Sequence, residues 1–349
     1  MNQFKKKKLL YEVSIIRPLV IFLLVFLHSF QKISDGGGYH NDYQLVDAYK
    51  WIEWLISGFR IETIALVAGY VFSYQSHDLG RSYKFGPFVK KKFKRLIIPM
   101  LFFGVIYYLL FYLKVDSFSI KDFILQLLSG CGHLWFLPML FWCFCAIWVI
   151  DRFKISSWWL LLGLAFVSIA PIPYLPLGFA RLPHFIFYVF GGYFLWTKRT
   201  YLTNNCLTWP WIIIQWLSYI CLVIVFHTVM PESNDNMNLS LKIIVVFARR
   251  TIELLMAVIG IMALYLTVCK FTTRNGFKPK QWVITASDYC YGVYVYHQFI
   301  LVGLYFFTPL VYVCHSLLVP WIGFIIAMLV SLILTKLSLQ TRFGRLLIG

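Results

Sequence analysis

Arg17 and His28 lie in one apolar stretch with ten residues between them, Arg17-PLVIFLLVFL-His28. An imidazole has an ordinary pKa of about 6.5 and can take or return a proton near neutrality. A guanidinium offers a planar fork of donors that fits phosphate and carboxylate oxygens. Ionisable groups within membrane-length hydrocarbon are costly and mark functional sites. Eleven residues of helix return to within about 20° of the starting direction and advance about 16 Å. The spacing therefore predicts two groups facing one partner surface at different depths.

Other ionisable residues fall in apolar segments too: Arg60, His133, His184, Arg249, Arg250, Glu253 and His297. Each alone has an ordinary reading. A single histidine in a helix can be a hydrogen-bonded packing residue, and Glu253 with Arg249 or Arg250, four and three residues apart, can be a pair within one helix. Taken together, His28, Arg60, His133, His184, the Arg249–Glu253 pair and His297 put five or six ionisable groups from separate helices in one half of the bilayer, which predicts a shared polar cavity. On the other side of the bilayer, Lys90, Lys91, Lys92, Lys94 and Arg95 form a basic run. Such a run orients a helix, and with Arg17 it would also meet a polyanion. A polar shaft joining the two levels is expected. Aromatic side chains such as Trp135 and Tyr291 are candidates for stacking on a ligand, against the ordinary role of packing or interfacial anchoring.

The elements that position these groups are transmembrane helices. The chain has 349 residues, of which 60% are hydrophobic and 13% charged, a balance foreign to soluble domains. Hydropathy gives an all-α polytopic membrane protein with about ten spans, at 10–31, 51–74, 96–113, 133–150, 158–172, 184–197, 208–229, 242–268, 284–309 and 317–339. A short interfacial segment is expected within 115–132. Placing both termini in the cytoplasm puts 21 basic residues in cytoplasmic pieces and six in the opposite loops. The net charge of +18 is then explained by contact with anionic lipid, and nucleic acid is excluded as a partner. The acidic loop residues Asp35, Asp42, Asp47, Glu232 and Asp235 fall on the outer side. The basic start, Lys5 to Lys8, leads into a retained helix, because no small-residue cleavage site follows and Arg17 interrupts the run. The eight cysteines show no metal-ligand spacing, and no metal is expected. The chain is expected to be a single transmembrane domain over 1–349, with no fused soluble domain.

These blocks resemble the acyltransferase 3 family of integral membrane acyltransferases, and most closely its fucose 4-O-acetylase-like, polysaccharide O-acetylating subgroup. Arg17-x10-His28 matches the family's first-helix signature. Phe59 to Phe72 resembles its second-helix pattern, with Ala68 in place of Ser and Glu62-Thr63 in place of a Pro-Leu type pair. Lys91 to Pro99 resembles the basic start of the third helix, although it reads Lys92-x-x-Arg95 where relatives often carry two arginines. Gly132-His-Leu-Trp-Phe-Leu-Pro138, Phe190-Gly-Gly-Tyr193 and Ser287-Asp-Tyr-Cys-Tyr-Gly-Val-Tyr-Val-Tyr-His297 follow in family order.

The resemblance implies an acyl donor, most simply acetyl-CoA, a carbohydrate hydroxyl as acceptor, and a multi-pass location in the bacterial inner membrane, with glycan-biosynthesis proteins as possible partners. It implies that Arg17, Lys91, Lys92, Lys94 and Arg95 hold the coenzyme's phosphates. His28 would be the base that takes the hydroxyl proton, or would first accept the acyl group itself. Arg60 or His133 would stabilise the oxyanion. Trp135, His184, Arg249, Glu253, Tyr291 and His297 are candidates for the acceptor. Two other classes remain open: a transporter or flippase of a lipid-linked saccharide or small anion, and an acyl carrier that hands the group to a separate transferase. No inverted repeat or pair of broken helices is evident in the hydropathy.

Overall fold

In lipid every backbone N–H and C=O must find a partner inside the protein, which leaves the helix as the form for apolar segments such as these. The computed structural model describes residues 10–34, 46–81, 83–112, 119–170, 175, 177–231 and 238–349, and among them every regular element is helical. Lys5 to Lys8, Lys114, Asp35, Asp42, Glu232 and Asp235 lie outside the described residues. The principal helices are α1 (Tyr11–Ser34), α2 (Asp47–Ser57), α3 (Arg60–His77), α4 (Phe85–Lys92), α5 (Ile98–Tyr107), α6 (Ile120–Ser129), α7 (Phe136–Arg152) and α8 (Trp158–Ile169). They continue with α9 (Leu182–Cys206), α10 (Trp209–Thr228), α11 (Leu239–Thr272), α12 (Gln281–Phe307), α13 (Leu310–Val313), α14 (Val319–Gln340) and α15 (Arg342–Ile348).

Eight stretches among the described residues are long and apolar enough to cross a membrane: Tyr11–Gln31, Ala48–His77, Phe85–Tyr112, Gly132–Arg152, Trp209–Thr228, Leu239–Thr272, Gln281–Phe307 and Val319–Gln340. The fifth and sixth expected spans correspond to α8 and α9. α8 has 12 residues, about 18 Å of helix. α9 has the length, with 25 residues, but ends in Lys198, Arg199, Asn204 and Asn205. The expected interfacial segment holds α6, whose Ile120, Ile124 and Leu125 are exposed. Apolar side chains cover much of the outer surface, among them Trp159, Phe166, Leu217 and Ile333, as a lipid-facing exterior requires.

The second span is not one continuous helix. α2 stops at Ser57 and α3 starts at Arg60, so a break at Gly58-Phe59 interrupts an apolar run. Tyr219 on α10 holds the break from outside: its hydroxyl donates to the Leu55 carbonyl at 2.8 Å, and a Cβ on Gly58 would meet that hydroxyl at 2.7 Å. Thr63 holds it from inside, its hydroxyl donating to the Phe59 carbonyl at 2.6 Å. Arg60 is thereby the first residue of a helix and not its interior. Within α1, Pro18 cannot bond the Ser14 carbonyl, which loosens the helix beside Arg17.

α1 packs against α12, α14, α2, α3 and α11, and α12 packs against α14. α3 crosses α9 at backbone distance through two glycines. A Cβ on Gly69 would overlap the Val189 carbonyl, and one on Gly192 would overlap the Leu66 carbonyl. Gly191, the neighbour of Gly192, faces open space. Gly192→Ala is therefore expected to lower stability by about 3 kcal/mol or more, because rigid backbone cannot yield. Gly191→Ala is expected to be neutral or slightly stabilising, since alanine is the better helix former. Thermal unfolding of the detergent-solubilised variants checks this pair; equal midpoints would contradict the close crossing.

Candidate functional site

Three elements bring three imidazoles together. α1 carries His28, α12 carries His297, and a tight 3-10 turn, Gly132–Trp135, presents His133 at the start of α7. That turn follows two glycines with positive φ, Gly130 at 83° and Gly132 at 55°. A Cβ on Gly132 would strike the Tyr107 ring, so this turn requires glycine.

His28 Nδ1 lies 3.0 Å from His297 Nε2. His297 Nδ1 lies 3.1 Å from the Val293 carbonyl of its own helix. His133 Nε2 lies 3.0 Å from the Val295 carbonyl, and its ring centre is 5.1 Å from that of His297. Tyr294 anchors the turn by donating to the His133 carbonyl at 2.6 Å. His297 is wholly buried, His133 is buried and His28 half-buried.

The protons follow from these partners. A carbonyl only accepts, so His297 is protonated on Nδ1 and, when neutral, carries its lone pair on Nε2. His28 must then donate from Nδ1, which puts the lone pair of His28 on Nε2. His133, by the same rule, is protonated on Nε2. In this order of donors the basic nitrogen of a neutral His28 is Nε2, the atom suited to take a proton or attack a carbonyl carbon.

Arg60 stands beside this cluster. It is 7% exposed, and its Nε and Nη1 have no hydrogen-bond partner among the described residues. Its charge acts on His297 and on Glu62. Past Arg60 lies a second polar group. His184 Nε2 is 3.8 Å from Glu62 Oε1, His184 Nδ1 is 3.1 Å from Ser168 Oγ, and the Tyr188 ring centre is 5.2 Å from that of His184. Glu253 on α11 is within electrostatic reach of Arg250, Arg249, His184 and Glu62.

A third group is basic and lies further along α1. Arg17 is solvent-accessible and shares its neighbourhood with Arg95, Lys92, Cys290 and Asp288. Lys91 adds its charge to Lys92, whose ammonium sits 3.1 Å from the centre of the Phe144 ring. Lys94 and Arg95 lie in a π-helical turn, Phe93–Ile97, and both are exposed. Arg17, Lys91, Lys94 and Arg95 provide accessible forks and ammonium groups for a phosphate-rich ligand, with Lys92 partly buried against Phe144 beside them.

Arg17 and His28 both face α12, the first beside Asp288 and Cys290 and the second beside His297. The common face predicted from their spacing is therefore present. A continuous polar shaft along that seam is not: Ile21 and Leu24 share the face between them and are buried. The polar residues form separate groups divided by an apolar layer.

Several candidates occupy other places than expected. Arg249 donates to the Pro231 carbonyl at 3.1 Å and the Met230 carbonyl at 3.4 Å, and its guanidinium covers the Phe226 ring. It ties the end of α10 to α11, and its charge still acts on Glu253. Tyr291 donates to the Arg95 carbonyl at 2.9 Å, which puts it with the basic residues and not beside the imidazoles. Trp135 has the Arg181 guanidinium 3.6 Å from its ring centre, so one aromatic face is already covered.

Glu62, Ser168, Tyr188 and Arg181 were not among the expected site residues. Tyr188 follows His184 by four positions and so shares its helix face, a signal present in the sequence. Arg181 reads as a loop cation, and only the fold brings it to Trp135.

A family model described as an acyltransferase domain matches residues 10–336. No curated protein and no solved structure matches the chain.

Nitrogen-15 NMR of histidine-labelled protein, with signals assigned by single substitution, is expected to show Nδ1-protonated His28 and His297 and Nε2-protonated His133. An Nε2-protonated neutral His28 would contradict the proton order.

Proposed function

We propose that this chain, which belongs to the acyltransferase 3 family of membrane acyltransferases, moves an acetyl group from acetyl-CoA to a hydroxyl of a carbohydrate. The carrying observation is the His28–His297 contact, which joins two imidazoles beside His133 and within the reach of the buried Arg60 charge. The basic end supports a cytoplasmic donor: Arg17, Lys91, Lys92, Lys94 and Arg95 would hold the coenzyme's phosphates, and the bound thioester supplies an activated acyl carbon. Positive charge at that end supports its placement on the cytoplasmic face of the inner membrane.

His28 Nε2 takes the proton of the acceptor hydroxyl as its oxygen forms a bond to the acyl carbon. The imidazolium that results keeps its Nδ1–H on His297 Nε2, a charge-assisted bond that holds its orientation. Arg60 meets the negative charge developing on the acyl oxygen, because it has unsatisfied donors in a dry setting. The C–S bond then breaks, and the imidazolium returns its proton to the departing sulfur. The products are an acyl ester and free CoA thiol. If instead the imidazole attacks first, Nε2 is the atom acylated, and the same neighbours serve. The pantetheine arm has to pass the level of Ile21 and Leu24, and its methylene stretches suit that apolar layer.

Two variants test this in proteoliposomes supplied with labelled acetyl-CoA and a mixture of cell-envelope glycans. His28→Ala is expected to lower transfer about 10²- to 10⁴-fold while the protein still elutes as a folded species. Undiminished transfer would remove His28 from the chemistry. Arg17→Ala is expected to raise the KM for acetyl-CoA about ten- to a hundredfold, the worth of one charged hydrogen bond, with a smaller effect on kcat. An unchanged KM would remove Arg17 from the donor site.

A further inference from the structure

Among the described residues beyond the imidazole cluster, buried side-chain atoms without a hydrogen-bond partner occur on Arg60, Glu62, Tyr188, Gln215, Gln298 and Ser331. Tyr188 is 1% exposed and its hydroxyl has no partner among the described residues. Glu62 Oε2 and Arg60 Nε and Nη1 are likewise buried and unpaired. Such atoms are rare in folded proteins, and each costs free energy unless something binds there. Arg60, Glu62 and Tyr188 gather around one place. Arg60 and Glu62 open the same helix, Glu62 faces His184 from α9, and the His184 and Tyr188 rings are neighbours. Ser168 at the end of α8 fixes the far side of His184.

The mixture is informative. Glu62 can only accept while ionised, Arg60 can only donate, and the Tyr188 hydroxyl can do both. A sugar hydroxyl does both as well, so adjacent hydroxyls on one ring can satisfy this set. A carboxylate ligand cannot give Glu62 a proton and would face two like charges, Glu62 and Glu253. The charges around Glu62 are Arg60 on its own helix, His184 on α9 and Glu253 with Arg250 on α11. Arg60 also acts on His297, and Arg249, which donates to the Pro231 and Met230 carbonyls, also acts on Glu253.

We propose that Glu62, with Tyr188 and His184, is the specificity element of the acceptor site and restricts it to uncharged sugar rings, with Glu62 accepting a hydrogen bond from a ring hydroxyl and rejecting acidic sugars. This rests on the acyl-transfer reading above. The chemistry at the acyl carbon is unchanged; what is added is which acceptor reaches it.

The test compares wild type, Glu62→Gln and Tyr188→Phe in proteoliposomes with acetyl-CoA. The acceptors are three oligosaccharides: a neutral hexose, an N-acetylhexosamine and a uronic acid series. Acetylated products are read by mass spectrometry and CoA release by thiol titration. Wild type is expected to favour one of the neutral series over the uronic acid by at least 30-fold in kcat/KM. Glu62→Gln is expected to cut that ratio at least tenfold, chiefly through a higher KM for the neutral acceptor. Tyr188→Phe is expected to raise the same KM about threefold, which gives a second reading should Glu62→Gln not accumulate. An unchanged ratio in Glu62→Gln, or a wild-type preference for the uronic acid, would overturn the inference while transfer itself stands. A wild type that releases no CoA with any of the sugars would overturn acyl transfer, and this inference with it.

Discussion

The hydrogen bond between His28 and His297 is the constraint on which the rest of the site depends. It joins α1 to α12 across 269 residues of sequence, deep in the bundle, where an unsatisfied imidazole is expensive. Because His297 is pinned to the Val293 carbonyl, its accepting nitrogen can point only one way, and His28 must answer with a proton. His133 is pinned to α12 in the same manner, through Val295. A single stretch of α12 backbone thus sets the orientation of three rings. The logic is that of a catalytic triad, in which the third member fixes the tautomer of the base and does no chemistry itself.

Around this core the fold separates what a membrane acyl transfer must keep apart. Basic residues gather at one end of α1, imidazoles lie about 16 Å further along, and buried Ile21 and Leu24 stand between. A water-filled channel between two faces of a membrane would leak protons and hydrolyse a thioester. An apolar layer excludes water, and under the proposed reading an alkyl-rich arm would pass through it. The broken second span serves the same end. By starting a helix at Arg60, it places a guanidinium and the positive end of a helix dipole at the depth of the histidines.

Much of this organisation is legible in the sequence, and the exceptions have physical causes. Helical periodicity alone puts Arg17 and His28 on one face, and both do face α12. The partner of His28 is not readable, since nothing local links residues 28 and 297. Gly58-Phe59 breaks a helix inside a single membrane-length stretch, and the break needs Tyr219 on a distant helix to hold it. Arg249 and Glu253 share a helix and an expected role. Only the position of the α10 end decides that Arg249 donates to carbonyls there while Glu253 faces His184. Tyr291 and Tyr294, three residues apart, serve different groups, because each hydroxyl bonds the carbonyl it happens to meet: Arg95 for one, His133 for the other. Length and apolarity likewise leave α8 and α9 short of the ordinary spanning pattern, since their burial comes from packing on each other and, for α9, on α3.

The most direct measurement is an electron cryomicroscopy structure of the protein in lipid nanodiscs with a non-reactive thioether analogue of acetyl-CoA. The phosphates are expected against Arg17, Lys92 and Arg95, with the analogue's arm passing Ile21 and Leu24 and its acyl carbonyl within hydrogen-bonding reach of His28 Nε2 or Arg60. An analogue bound elsewhere, or one whose acyl end stops short of an intact Leu24 layer with His28 closed off behind it, would contradict the central claim.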